Sequence, residues 1–117
     1  MKLDVMKQNI SAGKFDDTFT TLYGNESESQ QRYTEACDEF GKLFGTDRCV
    51  SLFSAPGRTE VGGNHTDHQL GCVIAGSVNL DVIAVASKSD DNTVRIKSAG
   101  FDMDTVDLNA LTPVEAE

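Results

Sequence analysis

Residues 80–87 read Leu-Asp-Val-Ile-Ala-Val-Ala-Ser, a run in which nearly every side chain is apolar and several are β-branched. Such a run favours a β-strand that is buried on both faces. Residues 49–55 are also predicted to form a strand, and residues 72–78 form a further apolar segment. The stretch between them, residues 56–71, is polar and rich in glycine. The sequence therefore predicts a sheet whose first strands flank a polar connection.

Further strand signals follow downstream. Residues 89–92, Ser-Asp-Asp-Asn, are typical turn formers. Val94 and Ile96 alternate with charged neighbours, which predicts a strand with one solvated face. Alternation over residues 101–106 predicts another strand. The last seventeen residues carry five acids and no base, and we expect them to end in a frayed tail after Pro113.

The first 45 residues are predicted to be helical. Apolar side chains recur at helical spacing over residues 3–10 and again over residues 15–23. A third helix is predicted over residues 25–45, with Asn25 as its N-cap and Glu28 three residues on, as in a capping box. Its polar face, which carries Arg32, Asp38 and three glutamates, is expected to be solvated.

These patterns predict an α+β fold, with N-terminal helices followed by a mixed or antiparallel sheet. Residues 1–45 are expected to form a helical lead-in. Residues 46–117 are expected to form a strand-rich segment. Together the two segments are predicted to make one partial domain.

The composition of the 117 residues argues against several classes of protein. Ten Lys and Arg against nineteen Asp and Glu give a net charge of −9, whereas nucleic acids and anionic membranes attract clustered positive charge. The longest apolar run, residues 82–86, is too short to span a membrane. The N terminus lacks the apolar stretch of a signal peptide.

Cysteine usage points to a reducing compartment. Cys37, Cys49 and Cys72 are odd in number and lack CxxC spacing, so they predict neither a disulfide framework nor a zinc site. Cys72 is expected to be a small core residue. Reduced thiols fit a cytoplasmic protein.

One stretch, residues 55–71, carries the candidate chemistry. It reads Ala-Pro-Gly-Arg-Thr-Glu-Val-Gly-Gly-Asn-His-Thr-Asp-His-Gln-Leu-Gly. Its glycines allow sharp bends or a close backbone approach. Its strongly hydrogen-bonding side chains are Arg58, Glu60, Asn64, His65, Asp67 and His68. A carboxylate can accept from two neighbouring hydroxyls, and a guanidinium suits a phosphate. The set fits a polyol that gains or loses a phosphate better than it fits a nucleotide.

The run Ala-Pro-Gly-Arg followed by His-Thr-Asp resembles the galactokinase signature of the galactokinase–homoserine–mevalonate–phosphomevalonate kinase superfamily. The positions that match in order and spacing are Pro56, Gly57, Arg58, Gly63, His65 and Asp67. The resemblance implies the sugar-binding N-terminal portion of a galactokinase-like enzyme, with an incomplete N-terminal domain of the superfamily fold. Such an enzyme transfers the γ-phosphoryl group of ATP to the anomeric hydroxyl of galactose or a related hexose.

The resemblance also implies a role for each matching side chain. Asp67 and His65 would bind hydroxyls of the sugar ring. Arg58 would bind substrate beside the anomeric hydroxyl and act as a catalytic residue, neutralising charge on the transferred phosphoryl group. Phosphoryl transfer depends mainly on positioning and on cations near the equatorial oxygens, which agrees with this role.

Three positions depart from the family pattern. Asn64 stands where the family has Glu, so it is a substrate-binding candidate that leaves the identity of the hexose open. Glu60 replaces the family's Asn and His68 replaces its Tyr. Both are further candidates for substrate contacts.

ATP and Mg²⁺ are the cofactors that the resemblance implies for the complete enzyme. The superfamily's Ser-rich phosphate loop does not occur in these 117 residues, and neither does the downstream catalytic Asp. We therefore expect the ATP site in the remainder of the kinase chain and no activity from this chain alone. The expected partners are a small sugar and that remainder, with no resident metal, nucleic acid or membrane.

Two alternatives remain open from the residues. The first is a non-enzymatic, sugar-responsive or interaction module on the kinase scaffold. The second is a metal-binding hydrolase fragment that uses His65, Asp67 and His68, although the chain has no other histidine. A hydrolase triad with Ser54 is disfavoured, because no nucleophile-elbow sequence surrounds that serine.

Overall fold

A computed structural model of the chain describes residues 1–63 and 70–112. The helices and strands of the described residues follow one another in the order α1 (Leu3–Ser11), α2 (Asp16–Tyr23), α3 (Glu26–Phe44), β1 (Val50–Gly62), β2 (Ile74–Ser87), β3 (Thr93–Lys97) and β4 (Met103–Asp107). Strands β1 and β2 form one antiparallel pair, and β3 and β4 form another. The predicted α+β class, with helices followed by antiparallel strands, is confirmed.

The chain divides into two compact units, Met1–Ser87 and Lys88–Glu117. The first unit holds the three helices and the β1–β2 hairpin, and the second holds the β3–β4 hairpin. In the second unit Thr93 pairs with Asp107 and Lys97 with Met103, which confirms the two downstream strands. The division predicted at residue 45 stays a prediction.

The helix boundaries have local causes. The Asn25 side chain accepts a hydrogen bond from the Glu28 backbone N–H at 3.2 Å and donates one to the Glu28 carboxylate, also at 3.2 Å. The first of these bonds satisfies a backbone donor at the start of α3, and the second joins the two side chains. Helix α2 ends at Gly24, whose φ of 69° is left-handed, a conformation that glycine adopts without a steric penalty. The three predicted helices are confirmed.

The core of the first unit forms where the helices meet one face of the β1–β2 hairpin. Its buried residues are Leu3, Met6, Ile10, Phe19, Tyr33, Cys37, Phe40 and Val50. From the sheet, Leu52, Ile83 and Val85 pack against this core and are half-buried. The apolar stripes read from the sequence are thus the side chains that hold helices and sheet together.

Both strands of the hairpin are longer than the sequence predicted. The strand predicted over residues 49–55 continues to Gly62, so residues 56–62 are strand and not loop. The separate segments predicted upstream and downstream of Asn79 form one strand, β2. The register shifts between Pro56 and Arg58 and again between Glu60 and Gly62. Such irregularities accommodate Pro and Gly in a strand that would otherwise exclude them.

The outer face of the hairpin, which carries Phe53, Leu80 and Val82, is exposed. These side chains are 55%, 77% and 74% accessible, respectively. The prediction that residues 80–87 are buried on both faces is therefore wrong for the described part of the chain, because the helices cover only one face of the two-stranded pair. Cys72 is exposed as well, so its predicted place in the core is also wrong.

Within residues 1–63 and 70–112, no helix combines the length and apolar character needed to cross a membrane.

Candidate functional site

The connection between β1 and β2 is closed at its base by Gly63. Gly62 pairs with Ile74, and Gly63 follows with a φ of +84°. A Cβ atom at Gly63 would lie 2.3 Å from the Cys72 carbonyl oxygen and 2.9 Å from the Val73 Cα. Only glycine fits this position, because both its conformation and its surroundings exclude a side chain. The two ends of the polar connection therefore meet through backbone contact.

Four of the six candidate side chains belong to this connection. Asn64, His65, Asp67 and His68 lie outside the described residues, so their roles remain predictions. The structure does place the residues that flank the connection, with Gly63 against Cys72 and Val73.

The other two candidates, Arg58 and Glu60, lie on β1, where they pair with Ser77 and Ala75. Residues two apart on a strand share a face, and the Arg58 Nη2 lies 3.7 Å from the Glu60 Oε1. The Arg58 side chain is 73% exposed, so this ion pair contributes little stability. The guanidinium keeps its charge and its planar set of donors, and is accessible to an anionic ligand.

Gly57 lets the two strands approach closely just before Arg58. A Cβ atom at Gly57 would lie 3.1 Å from Val78 Cγ2 and 3.2 Å from the Leu80 carbonyl oxygen. Both distances are tighter than ordinary van der Waals contact. The glycine in the run Pro-Gly-Arg therefore allows close strand packing at the register shift that precedes Arg58.

An open cavity of about 350 Å³ lies on the hairpin at the same level. Its lining residues are Ala55, Pro56, Gly57, Leu80, Asp81 and Val82. Neither Arg58 nor Glu60 lines it. The cavity is thus next to the candidate site along β1 but does not contain the described site residues.

No local sequence pattern predicts the polar cluster that surrounds Asp81. Its carboxylate accepts hydrogen bonds from Ser54 Oγ at 2.6 Å, from the Tyr23 hydroxyl at 2.7 Å and from Arg32 Nη1 at 2.5 Å. Arg32 Nη2 also donates to the Asp81 carbonyl oxygen at 3.0 Å. The Tyr33 hydroxyl, 2.9 Å from that of Tyr23, can donate to it and extend the chain of hydrogen bonds.

The titration of this cluster follows from its contacts. Burial alone would raise the pKa of Asp81, but the hydrogen bonds from Ser54, Tyr23 and Arg32 outweigh it and hold the pKa below the ordinary value of 3.8. Burial raises the pKa of Tyr33, and its hydrogen bond with Tyr23 adds to the effect. Asp81 is therefore ionised and Tyr33 neutral near pH 7.

On the polar face of α3 the three glutamates are exposed, as predicted, whereas Arg32 and Asp38 are half-buried. Arg32 contacts Asp81 across the helix–sheet interface, and Asp38 forms an ion pair with Lys7 on α1. The sequence feature that indicates the contact between Arg32 and Asp81 is Asp81 itself, because it is the one acid in an otherwise apolar run. A carboxylate is rarely buried without partners, so its position called for donors from another element.

Metal binding finds no support among the described residues, which contain no group of three His, Cys, Asp or Glu side chains able to hold an ion. The candidate ligands His65, Asp67 and His68 lie outside that part of the chain.

Comparison with known proteins bears directly on this hairpin. Residues 38–88 match the family model described as the galactokinase galactose-binding signature. The chain resembles the N-terminal, sugar-binding portion of galactokinases. The matched residues include the end of α3 and all of β1 and β2. The resemblance predicted from the run Pro-Gly-Arg and from His-Thr-Asp is thereby confirmed.

Individual relatives agree with the family match. The galactokinase of Dictyostelium discoideum is 30% identical over 71 residues, which are 61% of this chain and 14% of the relative. That of Streptomyces coelicolor is 34% identical over 71 residues, 61% of this chain and 18% of the relative. That of Halalkalibacterium halodurans is 36% identical over 73 residues, again 61% of this chain and 18% of the relative. The aligned part of the chain thus spans less than a fifth of each relative. No solved structure matches the chain significantly.

Proposed function

We propose that this chain binds galactose or a closely related hexose through the connection between β1 and β2. The observation that carries the proposal is the coincidence of the galactose-binding signature, residues 38–88, with the hairpin whose connection is closed at Gly63. A closed base holds the ends of a binding loop in place, which lowers the entropy lost when ligand binds. The signature and the geometry thus single out the same segment.

We further propose that the chain acts as the N-terminal portion of an enzyme that transfers the γ-phosphoryl group of ATP to the anomeric hydroxyl. In this role Arg58 contacts the transferred group, and its exposed guanidinium supports the assignment. Asp67, His65 and Asn64 bind ring hydroxyls, with Glu60 and His68 as further contacts. A fixed cation beside the phosphoryl oxygens stabilises the charge that develops during transfer.

ATP and Mg²⁺ belong to the complete enzyme in this proposal. The relatives are several times longer than the aligned segment, and the Ser-rich phosphate loop of the superfamily is not found in these 117 residues. We propose that the remainder of the kinase supplies the ATP site, so this chain alone does not phosphorylate sugar. We propose a cytoplasmic location, because Cys37, Cys49 and Cys72 are not joined in disulfides.

Sugar binding is tested by calorimetric titration of the chain with galactose. The unmodified chain is expected to bind, and Asp67→Ala to abolish binding, because the carboxylate holds two hydroxyls. Asp47→Ala is the matched control, since the Asp47 side chain is fully exposed and lies 3.6 Å from Lys2. Undiminished binding by Asp67→Ala would refute that role. Tight stoichiometric binding of Zn²⁺ would favour the metal-binding alternative instead.

The role of Arg58 is tested in the complete enzyme. Arg58→Ala is expected to lower kcat by about 100-fold or more while galactose affinity changes by less than about tenfold. Arg58→Lys should restore part of the rate, because the charge returns without the planar fork. Steady-state kinetics with galactose and ATP measure both effects. An unchanged kcat would remove Arg58 from the mechanism.

A further inference from the structure

Asp81 occupies the point where the hairpin loses its regular register. Pro56 pairs with Asp81, and the next pair along β1 is Arg58 with Ser77. Between these pairs β1 advances by two residues and β2 by four. Ladder hydrogen bonds alone do not fix a strand across such a bulge. Another contact must hold β1 at this level if Arg58 is to have one defined place.

The Asp81 carboxylate provides that contact by joining three other elements to β2. It binds Ser54 on β1, Tyr23 on α2 and Arg32 on α3. Asp81 is half-buried and its side chain is only 9% exposed, and a carboxylate shielded from water that keeps its charge interacts strongly with its donors. The Arg32 guanidinium also lies 5.9 Å from the centre of the Tyr23 ring, which restrains the donors themselves.

We propose that Asp81 is a positioning residue for Arg58: by tying β1 and two helices to β2, it fixes the strand at the bulge from which Arg58 extends. The inference deepens the proposed function and rests on it for the consequence in catalysis. A catalytic group displaced by about 1 Å can lose about 100-fold in rate. Loss of Asp81 should therefore slow phosphoryl transfer while the sugar contacts of the connection are kept.

The test compares Asp81→Asn with Asp38→Asn. Both changes remove one negative charge and weaken one ion pair, but Asp38 pairs with Lys7 between α1 and α3 and does not touch the hairpin contacts of Asp81. Amide hydrogen exchange of the chain reports the geometry. Asp81→Asn is expected to speed exchange at Arg58, Thr59 and Glu60 by about tenfold or more. Exchange at residues 51–53 should stay within about twofold, and Asp38→Asn should change neither group.

A milder variant covers the case in which Asp81→Asn does not fold. Ser54→Ala removes the β1 donor, together with the contact between the Tyr23 hydroxyl and Ser54 Oγ at 3.0 Å, and leaves Tyr23 and Arg32 on the carboxylate. It should speed exchange at residues 58–60 in the same selective way, by a smaller factor. Equal acceleration at residues 51–53 and 58–60, or no acceleration at residues 58–60, would overturn the proposal.

Kinetics of the complete enzyme separate positioning from mere stability. Per folded molecule, Asp81→Asn should lower kcat by about tenfold or more with the galactose KM within about twofold. Unchanged kcat in folded enzyme would contradict the positioning role. If the unmodified enzyme does not phosphorylate galactose, the proposed function fails, whereas selective exchange at residues 58–60 would still support the link between Asp81 and Arg58.

Discussion

Residues 50–56 of β1 pair with β2 in unbroken register, and one face of this packed half lies against the helices. Residues 58–62 of the same strand, the site half, follow one shift of register, contain a second between Glu60 and Gly62, and have no buried side chain. The packed half is held by the apolar core and the Asp81 cluster. The site half depends on glycines at close backbone contacts, Gly57 and Gly63. One hairpin thus divides stability and chemistry between its two ends.

This difference explains why the candidate chemistry lies where it does. Side chains that are not needed in a core are available for a ligand. Arg58 is exposed for that reason, while its place along the strand is fixed from the packed half. Changes in the two halves should therefore have different consequences, for stability in one and for binding in the other.

The largest expected effect is a loss of stability from a substitution in the core against which the packed half lies. Phe19→Ala removes a ring that is 3% exposed and that stacks on Tyr33 with centroids 5.1 Å apart. It should lower the free energy of unfolding by about 3–5 kcal/mol. Phe53→Ala is the matched control on the outer face, where the ring is 55% exposed, and should cost less than about 1 kcal/mol. Denaturant unfolding followed by circular dichroism measures both. Equal losses would show that the outer face is packed.

The next largest effect is a loss of galactose affinity from a substitution at the end of the site half. Gly63→Ala should weaken galactose binding by about tenfold or more, because a Cβ atom collides with Cys72 and Val73 and φ is positive. Gly62→Ala is the control, since nothing lies within 4 Å of a Cβ atom there. It should leave affinity within about twofold. Calorimetry with galactose compares the two, and equal affinity of both variants would contradict the closed base.

A pH titration measures the contribution of Asp81 to stability; Asp81 pairs with Pro56, where the packed half ends. Hydrogen bonds hold the pKa of Asp81 below its unfolded value, so Asp81 contributes stability above the ordinary value of 3.8, and this contribution is lost as the pH falls through its folded pKa. Acid should destabilise the unmodified chain more than Asp81→Asn. Thermal melts between pH 7 and about pH 3 measure the difference. Parallel pH profiles for the two proteins would rule out this contribution.

The smallest effect concerns backbone strain. Leu70 has a φ of 62° and a side chain that is almost wholly exposed, whereas the turn before β3 places Asn92 at a φ of 52°. Asn tolerates this conformation better than Leu. Leu70→Asn should raise the free energy of unfolding by roughly 0.5–1 kcal/mol, and Asn92→Leu should lower it. Chemical denaturation measures the increase expected for Leu70→Asn and the decrease expected for Asn92→Leu. A loss of stability in Leu70→Asn would show that the contacts of the Leu70 side chain stabilise the fold more than its backbone strain destabilises it.

The helices could be predicted because their signals are local. Apolar stripes at helical spacing and the Asn25–Glu28 cap specify α1 to α3 within a few residues. The ends of the strands could not be predicted, because Pro56 and Gly57 have a low propensity for strand interiors. Only the pairing with β2 shows that the strand tolerates them. The sequence therefore identifies Arg58 and Glu60 as candidate residues but predicts a loop for them, whereas both lie on β1.

The Asp81 cluster and the exposed outer face depend on distant residues. Asp81 binds Arg32 and Tyr23, which lie 49 and 58 residues away in the sequence, and no local pattern pairs them. The apolar character of Leu80 and Val82 signalled burial, but the sequence does not say what would cover them. In the described residues nothing does, and the two side chains remain exposed.

The most direct test of galactose binding at this hairpin is a titration of the isotopically labelled chain, followed by amide chemical shifts. We expect shifts in the site half and at the base of the connection, residues 57–63 and 70–75, with the amides of α1 and α3 unchanged. Galactose in large excess that shifts none of the hairpin amides, or that shifts only those of the helices, would contradict the account.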